Sequence, residues 1–180
     1  MSAPYIQIRS GEHLLLESPD PWLITLQDIG HALSNLCRFT GHVKAFYSVA
    51  QHSVLVCQMA QDAGCDLGTQ RAALMHDATE AYLGDVSSPL KSLLPDYREL
   101  EAIWWEAIAL RFALPSVLPA QVKLFDARAV VAEAYAFLGE PTGTGWPTVE
   151  PDLDAPSLVP WAPRAAFEAF MREAARVDVG

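Results

Sequence analysis

A chain of 180 residues, 51% of them hydrophobic, is long enough to bury one core without disulfides or a structural metal. Its net charge of −10, with three lysines and no basic run, argues against a general nucleic-acid surface, because tracking phosphates requires a basic stripe. Three cysteines without CxxC spacing argue against a disulfide framework or a zinc knuckle and fit a reducing cytoplasm. No uncharged apolar stretch reaches 18 residues, so no membrane span is expected.

The opening "MSAPYIQIRSGEHLLL" lacks a basic segment followed by an apolar run and does not read as a signal peptide. Within it "YIQIRSG" alternates and predicts a short strand or extended arm ended by Gly11. "SPDPW" (Ser18 to Trp22) is a turn. Thr25 with Asp28 forms a capping-box pattern that predicts a helix over about 26–37. After the break "TGHVKAF", Ser48 and Gly64 bound a second helix, and Thr69 caps a third that runs to about Gly84.

"VSSPLKSLLP" reads as a Pro-bounded loop. "DYRELEAIWWEAIALRFAL" carries apolar residues at 3- and 4-residue steps and predicts a helix. "PAQVKLFDARAVVAEAYAFLG" predicts another, with Pro119 at its start and Gly139 at its end. Residues 140–160 are rich in Pro, Gly and Thr and read as an irregular excursion. A closing helix spans about 163–176. The fold class is all-α, with roughly six helices and minor strand signals.

Ionisable residues interrupt the apolar parts of three of these helices. His52 lies between Ala50 and Val54. His76 and Asp77 follow Ala72, Ala73, Leu74 and Met75. Asp126 follows Phe125. Two His and two Asp from three helices can encircle one divalent metal, and the ion supplies the partner charge that burial otherwise denies them. On spacing alone, satisfied core or surface residues are an equal alternative.

Glu80 lies four residues after His76 and three after Asp77, on the same broad helical face. It could carry a proton to or from a reacting group; the alternative is a surface Glu. Asp85, after Gly84, could hold a second metal or an attacking water, or simply end the helix. Arg38, Lys91 and His42 could meet phosphate oxygens, as against lying in solvent. Lys123 and Arg128 flank Asp126. Trp22, Ile24 and Pro89 could form an apolar wall for a base, with core packing as the alternative.

Together these residues resemble a family. His52, the "HD" pair His76–Asp77 and Asp126 in "FDARAV" look like the signature of the HD-domain metal-dependent phosphohydrolases. "HDATEAYLGDVSSPLK" is close to the motif of bacterial HD-type 5′-deoxynucleotidases. "DIGHALSNLCRFTGHVKAFYSVAQHSVLV" looks more like the phage dATP triphosphohydrolases of the group. The resemblance covers about residues 25–135 and is most specific from 28 to 91.

The resemblance implies a single HD domain over 1–180, with its core at about 25–138 and a helical bundle around the metal. It implies His52, His76, Asp77 and Asp126 as ligands to zinc, manganese, cobalt or iron, with magnesium or cobalt at the substrate phosphates. Glu80 would be the general acid or water-orienting group, Asp85 a second catalytic carboxylate, and Arg38 and Lys91 phosphate ligands. The implied reaction is hydrolysis of dATP to deoxyadenosine and triphosphate in a phage setting. The alternatives are a broad deoxynucleoside 5′-monophosphatase and, in another class, a nucleotide-binding regulatory module. The implied partner is a second copy of the chain, in a dimer or hexamer, with neither nucleic acid nor membrane. "IWWEAI" (Ile103 to Ile108) is a candidate interface.

Overall fold

Thr25 is extended, and its hydroxyl accepts the backbone N–H of Asp28, which starts α1 (Leu26–Asn35). The expected reciprocal cap does not form. The Asp28 carboxylate instead accepts the Ser10 N–H and the Thr25 hydroxyl, so it ties the N-terminal arm to α1. That arm is a hairpin of β1 (Tyr5–Gln7) and β2 (His13–Leu15), paired antiparallel with Ile6 opposite Leu14. These observations come from a computed structural model that describes residues 3–139, 146–147 and 158–180. Most of the 140–160 excursion therefore lies outside the described residues.

Ser48 caps α2 (Val49–Asp62) by accepting the Gln51 N–H, and Gly64, at φ 71°, turns the chain at the other end. Helix α3 (Leu67–Met75) is capped by Asp66 rather than by Thr69, whose N–H is the donor to the Asp66 side chain. A carboxylate three residues earlier reaches the orphan N–H that the Thr hydroxyl cannot.

The helix expected to reach Gly84 stops at Met75. The bonds Ala78 N–H to Met75, Glu80 N–H to Asp77 and Tyr82 N–H to Thr79 each span three residues. The chain tightens from the α-helical repeat into a turn over His76–Thr79 before the single turn of α4 (Glu80–Leu83). The expected loop after it holds another single helical turn, α5 (Ser88–Lys91), with Pro89 in its first turn.

Two long helices follow, α6 (Pro95–Phe112) and α7 (Ala120–Phe137), and α8 (Pro163–Arg176) closes the chain. Among the described residues, six helices of nine residues or more match the expected number, and α4 and α5 are additional.

Helix α2 packs against α1, α3, α7 and α8 and is buried around most of its circumference, as befits the centre of a bundle. Gly30 allows the close approach of α1 to α8: a Cβ there would stand 3.0 Å from the Phe170 ring. Gln51 on α2 donates to the Val159 carbonyl and accepts the Trp161 N–H, which seats the segment leading into α8. Trp104 is fully buried, stacks on Tyr82 and donates to the Leu16 carbonyl, while Trp105 is half-buried and donates to the Ser116 carbonyl. Full burial of a large apolar side chain such as that of Trp104 contributes about 1.5–3 kcal/mol. Among the described residues, no helix is long and apolar enough to cross a membrane.

Candidate metal centre and cavity

His52 comes from the first turn of α2, His76 from the C-cap position just after α3, Asp77 from the turn behind it, and Asp126 from α7. The fold brings them together. The Nε2 atoms of His52 and His76 face each other at 3.2 Å. Asp126 Oδ1 is 3.2 Å from His52 Nε2 and 3.9 Å from His76 Nε2. Asp77 Oδ2 is 3.5 Å and 3.3 Å from the same two nitrogens.

The other imidazole nitrogens are already engaged. His52 Nδ1 lies 2.7 Å from Glu133 Oε1, and His76 Nδ1 lies 2.7 Å from the Ala73 carbonyl oxygen. Both partners are acceptors, so both Nδ1 atoms carry the proton. Each Nε2 is thereby left turned toward the Asp pair.

Donor atoms from His52, His76 and Asp126 all lie within 4.8 Å of one another, and the group can hold a metal ion. The donor set fits one. Two nitrogens bound at about 2.1 Å to a tetrahedral ion stand about 3.4 Å apart, close to the 3.2 Å between the imidazoles. Asp77 approaches the same two nitrogens from its own side.

Charge in this region is strongly arranged. Burial opposes charge on His76, but Asp77 and Asp126 outweigh it and hold its pKa well above the ordinary value. Burial and Arg38 both oppose charge on His52, yet Glu133 and Asp126 raise its pKa. Asp77 and Asp126 are only partly buried; desolvation works against their charge, but pairing with the two imidazoles outweighs it and keeps both carboxyls below the usual range. Surroundings that favour a cation on each imidazole also favour a divalent cation between them.

No family model matches the chain. It is 39% identical over 170 residues to the uncharacterized protein YfdR of Escherichia coli K12, an alignment that covers 93% of this chain and 92% of YfdR. The chain belongs to the YfdR family. An uncharacterized protein of Rhodobacter capsulatus is also 39% identical, over 128 residues, which is 68% of this chain and 65% of that protein. Neither name carries an activity.

In this YfdR-family chain the His/Asp group opens into a cavity of about 610 Å³, a volume suited to a nucleotide-sized ligand. Asp77 and Asp126 line it together with Arg38, His42, Glu80, Asp85, Pro89 and Lys91. Eight of the residues singled out from the sequence thus share one lining. Trp22 and Ile24 do not. Ile24 is fully buried in the core, and Trp22 is 71% exposed on the turn before α1. Among the described residues, the apolar part of the lining comes instead from Phe39, Val86, Ala127, Val130, Leu138, Trp146 and Pro147, besides Pro89. Phe39 and Trp146 lie with ring centroids 6.4 Å apart.

Glu80 is buried, and burial together with Asp77 and Asp85 pushes its carboxyl well above the ordinary value. Its Oε1 is 3.4 Å from Lys91 Nζ, and its Oε2 has no partner among the described residues. Lys91 is held more closely by Glu101, at 2.7 Å. Burial likewise raises the Asp85 carboxyl, against the pull of Arg38. Lys123 is exposed and does not line the cavity.

One residue of the centre escaped the sequence reading. Glu133 is fully buried on α7, two helical turns after Asp126, and its carboxylate also accepts from Arg38 Nε at 3.1 Å and Tyr47 Oη at 2.9 Å. The signal was slight: an acid seven residues after Asp126, within the apolar run "VVAEAYAF".

Proposed function

We propose that this chain is an HD-domain phosphohydrolase that cleaves a deoxynucleotide, with dATP as substrate. The observation that carries the reading is the meeting of four ligand-type side chains, from three helices and a turn, at a cavity that also holds two carboxyls and two cations. His52, His76, Asp77 and Asp126 would hold a divalent metal. When bound, such an ion supplies Lewis acidity to a phosphoryl oxygen and makes water easier to deprotonate.

The chain's own groups do the rest. Arg38 and Lys91 offset charge on the phosphates. Asp85 accepts a proton from the attacking water, whose oxygen bonds to the phosphorus nearest the sugar. The bond from that phosphorus to the 5′ oxygen breaks, and Glu80 gives its proton to the departing oxygen. The raised Glu80 pKa supports this role, because a proton donor must hold its proton near neutral pH. Phe39 and Trp146 offer a stacking wall to the base. The choice of dATP rests on the likeness of the N-terminal half, carried by residues 28–56, to the phage enzymes.

One observation favours a second reading, a deoxynucleoside 5′-monophosphatase. Among the described residues, Asp77, Glu80, Asp85 and Asp126 line the cavity against Arg38 and Lys91, a balance kinder to one phosphate than to three. Incubating the metal-loaded protein with dATP and with dAMP, then resolving the products, separates the two. Deoxyadenosine and triphosphate from dATP support the first, and phosphate released from dAMP alone supports the second.

A further inference from the structure

The Glu133 carboxylate sits where three separate segments meet. Its Oε1 accepts from His52 Nδ1 on α2, at 2.7 Å, and from Tyr47 Oη, at 2.9 Å. Its Oε2 accepts from Arg38 Nε, at 3.1 Å, in the loop after α1. All four side chains are buried, and Glu133 and His52 are fully so. A buried carboxylate is costly unless it is paired and hydrogen-bonded, and here three donors meet it, one of them a guanidinium. The same carboxylate touches one member of the metal group and one cation of the cavity wall.

We infer that Glu133 is a positioning residue that sets two parts of the centre at once. By accepting from Nδ1 it fixes the His52 ring with Nε2 turned toward His76 and Asp126. By accepting from Arg38 Nε it fixes the guanidinium beside Asp77, with the rest of its donors available to an anion in the cavity. The inference rests on the proposed reading only in treating His52 as a metal ligand. Outer carboxylates of this kind typically carry 10- to 100-fold of metal affinity.

An amide at this position has one acceptor end, so it satisfies His52 or Arg38 but not both. In Glu133→Gln, either zinc affinity falls by about 10- to 100-fold or binding of inorganic triphosphate to the zinc-loaded protein falls comparably. Glu133→Asp keeps the charge and should recover part of the loss. If Glu133→Gln does not fold, Glu133→Asp against wild type still tests the point, with a smaller loss expected. Unchanged zinc and triphosphate affinities in a folded Glu133 variant would overturn the inference, whatever happens to its melting temperature.

A measurement on the wild-type chain needs no variant. The His52 Nδ1 proton, assigned by its loss in His52→Gln, should appear as a downfield, slowly exchanging imidazole signal in the metal-free protein, and should persist when zinc is added. Its absence from the metal-free protein, or its loss on adding zinc, contradicts the inference. If the wild-type chain takes up no zinc, the metal reading fails, while this signal in the metal-free protein still decides what Glu133 does to His52.

Discussion

His52 and His76 are 24 residues apart in the chain, yet their Nε2 atoms face each other at 3.2 Å. With Nδ1 holding a proton on each ring, two Nε2 atoms at that distance repel unless a cation, a proton or a metal ion, lies between them. Zinc should therefore stabilise the fold. At a free concentration 100 times its dissociation constant it should add about 2.7 kcal/mol. For a chain of this size each 1 kcal/mol moves the melting temperature by about 2–4 °C, so differential scanning fluorimetry should show a rise. Asp77→Ala should abolish the rise, with loss of metal in elemental analysis.

Glu80 makes stability depend on pH in a stated direction. Its folded pKa lies well above the 4.5 of an ordinary Glu, chiefly through burial. The folded chain then holds a proton that the unfolded chain has released. The stability linked to this group is complete below about 4.5 and is lost as pH rises through the folded value. Glu80→Gln removes that loss. Its melting temperature relative to wild type should be higher at pH 8 than at pH 4.5, measured without metal. An equal difference at both pH values contradicts the assignment. The same variant should bind metal normally and lose turnover.

The base wall moves from the residues expected in the sequence to others. Base–aromatic stacking is worth about 1–3 kcal/mol, so Phe39→Ala and Trp146→Ala should each raise KM for dATP by about 5- to 150-fold, that energy expressed as an equilibrium ratio. Inorganic triphosphate, which has no base, should inhibit these variants as it inhibits wild type. Trp22→Ala should leave KM unchanged, since Trp22 does not line the cavity.

The local signals in the chain were legible where short-range chemistry decides them. Thr25 and Ser48 cap helices as read, and Pro163 begins α8. Thr69 misled because Asp66, three residues earlier, competes for the same cap. The turn at His76–Thr79 was hidden because "MHDATEAYL" holds no Gly or Pro to mark where the repeat tightens. The His/Asp cluster was legible because each of its members is a polar residue in an apolar run. Glu133 has the same signature, but its role depends on Arg38 and Tyr47, 95 and 86 residues away. Ile24 and Trp22 show the converse. Closeness to α1 in sequence says nothing about which way their side chains point.

The central claim is that His52, His76, Asp77 and Asp126 hold a divalent metal on which phosphohydrolysis depends. The direct test strips the protein with a chelator, restores zinc, manganese, cobalt or magnesium in measured amounts, and follows the release of deoxyadenosine from dATP. Release should be absent in the stripped protein, should rise in proportion to metal bound until one ion per chain, and should be absent in Asp77→Ala at every addition. A protein that binds its metal and hydrolyses none of dATP, dAMP or the other deoxynucleotides, or one that hydrolyses them equally when stripped, would contradict the claim.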